Sequence, residues 1–144
     1  MTARAISLNS DQLQITDGGA RTPTLPAGIV TTLRLEGCAA CATAIFAYAH
    51  TGQSWLMFAL LFLTPDLSMA AYFMGPRTGA AIYNLFHSYA GAATVWCSSL
   101  ALGNQMATAV ALVWFAHIGF DRALGYGLKF TTSFKHTHLG CIGR

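Results

Sequence analysis

Four stretches of about twenty apolar residues, separated by short polar joints, leave this chain few ways to fold. They cover roughly residues 29–50, 55–74, 80–102 and 106–126. At 1.5 Å per residue, a helix of that length crosses a bilayer core of about 30 Å. The joints carry turn formers: His50-Thr51-Gly52-Gln53-Ser54, Gly75-Pro76-Arg77-Thr78-Gly79 and Gly103-Asn104-Gln105. They are too short for anything but antiparallel neighbours. Only 9% of the residues are charged, against about 25% in a soluble domain. That excludes a disordered chain, a coiled coil and most soluble enzymes. The expected fold is all-α, a four-helix transmembrane bundle of two antiparallel hairpins over 27–128. Residues 1–26, with Asp17-Gly18-Gly19 and Thr22-Pro23-Thr24-Leu25-Pro26, read as a flexible polar tail and not as a secretory signal. Residues 129–144 read as a second tail.

The basic residues orient the bundle. With four spans, both tails and the joint at 75–79 share one side, and Arg4, Arg21, Arg77, Lys129, Lys135 and Arg144 all lie there. Arg34 and Arg122 sit in the helix ends leading to it, and the other two joints hold no Lys or Arg. Both termini are therefore expected in the cytoplasm, with the protein in the cell inner (plasma) membrane. The net charge of +3 speaks of topology and lipid headgroups. A basic stripe with interleaved aromatics is missing, so no nucleic-acid partner is expected.

Of the five acids, Glu36, Asp66 and Asp121 fall inside or at the end of spans, where an ionised carboxylate is expensive and usually functional. His87 and His117 are also inside. Counting from the run boundaries, Glu36, Asp66, His87 and His117 all lie roughly 10–14 Å from the cytoplasmic helix ends. Asp121 shares a helix face with His117 at i, i+4, and Asn84 shares one with His87 at i, i+3. Glu36 to Asp66 and His87 to His117 span equal intervals, and the shift that carries Glu36 onto His87 also carries Gly52 onto Gly103. Two like hairpins would turn one polar group per helix toward a common axis, the way four-helix bundles hold di-metal carboxylate/histidine centres.

The stretch His117-Ile118-Gly119-Phe120-Asp121-Arg122-Ala123-Leu124-Gly125-Tyr126-Gly127-Leu128-Lys129 resembles the signature of the domain-of-unknown-function family 4260. So do Phe134-Lys135-His136-Thr137-His138-Leu139-Gly140, Arg34-Leu35-Glu36-Gly37, Pro65-Asp66-Leu67-Ser68-Met69 and Tyr83-Asn84-Leu85-Phe86-His87. The resemblance covers about residues 30–143 and implies a small, mostly bacterial, multi-spanning membrane protein. It implies no activity. Cys38 and Cys41 stand where the family pattern has aliphatic residues, and the N-terminal tail is longer than that pattern.

Three readings of the buried polar set stay open. In the first, Asp66, His87, His117 and Asp121 hold a divalent metal (zinc, iron or manganese), and Glu36 is the general base of an intramembrane hydrolase. Arg34, Ser68, Tyr83, Asn84, Arg122, His136 and His138 would surround that site, and the substrate would be lipid-like or amphipathic. The second is a small proton- or ion-coupled transporter, and an oligomer of this chain suits it because four helices leave little lumen. The third is a structural membrane partner, in which Arg34 and Arg122 pair with Glu36 or Asp66 and set helix register.

Cys38-Ala39-Ala40-Cys41 has the spacing of half a zinc ribbon with no second half, and its small residues suit helix packing. The four cysteines imply no disulfide framework. Tyr48, Trp55, Tyr72, Tyr83 and Tyr126 are expected as interface anchors. Pro65 frees a backbone carbonyl about one turn earlier, which places Asp66 beside an opening in the bundle.

Overall fold

The computed structural model describes residues 13–15, 21–23, 25–131 and 134–141. Among the described residues the chain is mainly helical, as expected, with five α-helices and a long 3₁₀ helix. Helix α1 (Ala27–Ala49) starts directly after Pro26, whose carbonyl accepts from the Ile29 and Val30 amides at 2.9 and 3.1 Å. Ser54 caps α2 (Trp55–Phe62) through its hydroxyl, 3.2 Å from the Met57 amide. Pro65 has no amide hydrogen to continue that helix, and the chain goes on as a 3₁₀ helix over Pro65–Met74. A 3₁₀ run of this length is uncommon and often marks a functional site.

Gly75, at φ +107°, turns the chain into α3 (Pro76–Phe86), and α4 (Tyr89–Ala101) follows after a break. Asn104 caps α5 (Gln105–Leu124) on the Ala107 amide at 3.0 Å, and Gly125, left-handed at φ +92°, ends it.

The expected continuous span over 80–102 is corrected here: it is broken at His87-Ser88 into α3 and α4. The cause is tertiary. The Phe86 carbonyl accepts from the Trp114 indole at 2.6 Å, and the His87 carbonyl accepts from the Arg122 guanidinium at 2.7 Å. Two side chains of α5 thus take up carbonyls that a continuous helix would bond internally. Trp114 and Arg122 make the interruption tolerable in an apolar setting.

Helix α5 forms the middle of the molecule and touches α1, α2 and α4, while α3 packs on the 3₁₀ helix. The α1–α5 contact depends on glycine at two places. A Cβ on Gly119 would stand 2.6 Å from the Cys41 amide nitrogen, and one on Gly37 would stand 2.8 Å from the Gly119 carbonyl oxygen. Small residues let the two backbones touch, which is how helices gain packing energy where lipid removes the hydrophobic drive. At the opposite end Tyr48, Ala109, Leu112 and Val113 form an apolar cluster flanked by Met57, Phe58, Leu61 and Phe62.

Tyr48 is fully buried, its hydroxyl donating to the Ser54 carbonyl at 2.7 Å, and Tyr83 is buried too. Neither is the interface anchor expected of it.

Three stretches, Ala27–Ala49, Trp55–Met74 and Gln105–Leu124, are long and apolar enough to cross a membrane. Large apolar side chains lie open on the surface, Leu67 at 73% and Phe73 at 97% exposure among them. Such a surface suggests a membrane protein.

The expected N-terminal tail falls mostly outside the described residues. Within it, Leu13–Ile15 (β1) pairs antiparallel with Arg21–Pro23 (β2), on either side of the hairpin-type composition Asp17-Gly18-Gly19. After α5 the chain folds back. His136–Thr137 (β3) pairs with Gly140–Cys141 (β4), and Lys129 bridges to Thr137.

Candidate metal centre

Three separate stretches of sequence meet at one point. Asp66 comes from the first turn of the 3₁₀ helix and His87 from the break between α3 and α4. His117 and Asp121 stand one turn apart on α5. One ligand atom from each lies within 4.8 Å of all the others. His87 and His117 are buried and Asp121 nearly so, while the Asp66 side chain is 36% exposed.

The Nε2 atoms of His87 and His117 are 3.2 Å apart. His87 Nε2 lies 3.5 Å from Asp66 Oδ1 and 3.6 Å from Asp121 Oδ2, and His117 Nε2 lies 3.7 and 3.8 Å from the same two oxygens. The nitrogen–oxygen separations exceed the about 2.7–3.2 Å of an N–H···O bond. They come close to the edges of a tetrahedron: ligands held at about 2.0–2.1 Å by a tetrahedral ion stand about 3.3–3.4 Å apart. The group could hold a metal.

The surroundings orient the ligands. His87 Nδ1 lies 3.0 Å from the Tyr83 carbonyl, which can only accept, so Nδ1 carries the proton and the Nε2 lone pair faces inward. The Tyr83 ring stacks on His87 at 3.7 Å between centroids, and its hydroxyl donates to Asp121 Oδ2 at 3.3 Å. The Phe62 ring meets His117 edge-on at 5.2 Å. His117 Nδ1 is buried without a hydrogen-bond partner among the described residues, as is the Ser68 hydroxyl.

A cleft of about 410 Å³ opens over the cluster, and Asp66, Asp121 and His117 lie in its floor. Its walls include Phe62, Met69, Phe120 and Leu124, with Lys129 and Phe134 contributed by the segment after α5. Burial pushes the Lys129 ammonium below its ordinary range, against the opposing pull of Asp121 and Asp66.

The other residues expected around the site stand at different removes from the four. Glu36 is exposed on α1 and stands outside the cluster, so the structure does not bring it to the four ligands. Arg34 donates to the Ala123 carbonyl at 2.9 Å, and Arg122 donates to the carbonyls of Tyr126 and His87. Both arginines therefore serve backbone at helix ends, and not the acids that the third, structural reading pairs them with.

Asn84 grips the backbone of Lys129, and His138 Nδ1 accepts from the Leu128 amide at 2.8 Å. The His136 side chain lies outside the described residues. Lys129, read from sequence only as a charge that sets topology, is the cleft residue that escaped. Its signal was its place at the end of the fourth-span motif.

No curated protein and no solved structure matches the chain. One family pattern does, described as Domain of unknown function (DUF4260), over residues 30–142. The chain belongs to that family.

Proposed function

We propose that this protein is a metal-dependent intramembrane hydrolase. In this reading Asp66, His87, His117 and Asp121 hold a divalent ion, zinc first and iron or manganese next, and the cleft above them takes a lipid-like or amphipathic substrate. The observation that carries it is the gathering of two histidine nitrogens and two carboxylate oxygens within 4.8 Å of one another beside an apolar cleft. Zinc accepts this donor set.

Such an ion polarises a carbonyl or phosphoryl oxygen and acidifies bound water. The chain's own residues supply the rest. Tyr83 holds Asp121 by its hydroxyl and His87 by its carbonyl and ring, so both ligands are oriented before anything binds. Four protein ligands would close a tetrahedral site, so Asp66, whose carboxylate is part-exposed, would be the one to yield its position on the ion to water and accept that water's proton.

The mouth of the cleft supports a substrate drawn from the bilayer. Leu63, Phe120, Leu124 and Phe134 line it and are exposed. In this reading the site lies in the inner half of the plasma membrane, with both termini in the cytoplasm.

The test is hydrolysis of a panel of alkyl carboxylate and phosphate esters by zinc-loaded protein in maltoside micelles. Turnover of at least one ester, abolished by chelation and lowered on the order of a hundredfold or more in Asp66→Asn, is expected. A panel untouched by fully metal-loaded, folded protein would contradict the hydrolase.

A further inference from the structure

The metal assignment leaves one group in the cleft unexplained. Lys129 is only 5% exposed although its long flexible stem could carry the ammonium to water. Its backbone is clamped by Asn84, whose Oδ1 accepts from the Lys129 amide at 2.7 Å and whose Nδ2 donates to the Lys129 carbonyl at 2.9 Å. Helix α3 thus fixes the residue from outside its own segment.

The ammonium donates to the Phe134 carbonyl at 3.1 Å. It lies 3.6 Å from the centroid of the Phe134 ring and 4.7 Å from that of Tyr83, the ring already stacked on His87. Among the described residues, two rings and one carbonyl shelter the cation without neutralising it, and that carbonyl occupies one of its three donors.

Charge balance extends the point, and here the inference rests on the metal reading. A divalent ion cancels the charges of Asp66 and Asp121, so the cleft keeps the unit positive charge of Lys129. Arg122 is also buried, but its guanidinium is committed to the carbonyls of His87 and Tyr126. A buried, uncompensated cation in an apolar cleft asks for an anion. The cleft volume of about 410 Å³ lies toward the small end of the roughly 300–1,000 Å³ usual for ligand pockets. That suits one aliphatic chain, not two.

We infer that Lys129 is the anion-recognition residue of this cleft, and that its ligand is an amphiphile with one aliphatic chain and a negatively charged head group.

The experiment is native mass spectrometry of zinc-loaded protein in dodecyl maltoside, which counts metal and ligand in the same spectra. The probes are dodecyl phosphate, dodecanol, dodecyltrimethylammonium and inorganic phosphate. The wild type is expected to prefer dodecyl phosphate over dodecanol by about ten- to a hundredfold, the equilibrium worth of a charge-assisted hydrogen bond. Lys129→Met should erase that preference with metal retained, and Lys129→Arg should keep most of it.

Equal preference in Lys129→Met overturns the inference, and so does inorganic phosphate binding as tightly as dodecyl phosphate. Should Lys129→Met not fold, the wild type still decides: dodecyltrimethylammonium bound as well as dodecyl phosphate overturns it. Protein that carries no metal yet shows the Lys129-dependent preference supports the inference and counts against the metal reading alone.

Discussion

His138 joins the C-terminal fold-back to the end of α5 through two bonds to one residue. Its Nδ1 accepts from the Leu128 amide at 2.8 Å, and its own amide donates to the Leu128 carbonyl at 3.1 Å. Burial, reinforced by the positive charge of Arg122, holds the imidazole below its ordinary pKa. The unfolded chain therefore binds this proton more readily than the folded one. The contribution of His138 to stability is full above the unfolded value of about 6.5 and is lost as pH falls through the folded value. Thermal unfolding followed from about pH 7.5 to 5 should show a falling midpoint, with a shallower fall in His138→Gln. Identical slopes in the two proteins would contradict the role.

The four clustered residues are legible one by one, because an ionisable side chain in an apolar run is costly enough to need a partner. Glu36 shows where that reasoning stops. Its depth can be counted from the run boundary, but which way it points cannot, because α1 is apolar on nearly every side. Only the packing of Gly37 against α5 fixes the rotation. Lys129 was hidden for another reason: it lies beyond the last span, and the Asn84 clamp that draws it inward joins residues far apart in sequence.

Among the elements, α1 and α5 and both capping residues Ser54 and Asn104 follow from local signals. Pro65 announced an interruption of the second span, though not that the chain would continue as a 3₁₀ helix. The break at His87-Ser88 had no such marker, since Phe86-His87-Ser88-Tyr89 contains neither proline nor glycine. It is made by Trp114 and Arg122 from another helix, and a local pattern does not contain them. That break sets His87 opposite His117.

The contact between α1 and α5 gives a prediction at this scale. Gly119→Ala places a methyl against the Cys41 backbone and should cost roughly 1–3 kcal/mol, as overpacking does. Gly28→Ala on α1, where nothing lies within 4 Å of the added carbon, is the control and should be nearly neutral. Unfolding in mild detergent measures both, and equal stabilities would refute the close packing.

At the scale of the whole molecule, scarce charge predicted a membrane protein, and three stretches long and apolar enough to span one agree with it. Because the third expected span is broken, the cytoplasmic placement of both termini depends on α3 and α4 together acting as one crossing. Reporter fusions at each end of the chain should both be active only on the cytoplasmic side. Activity on opposite sides would mean an odd number of crossings and a different topology.

The proposed chemistry requires that Asp66, His87, His117 and Asp121 hold an ion. Elemental analysis of protein purified without chelators in an uncharged detergent tests this most directly. About one divalent ion per chain is predicted, lost in the double variant His87→Ala, His117→Ala. Folded wild-type protein that carries no stoichiometric metal, and takes up none when zinc, iron or manganese is supplied, would contradict it.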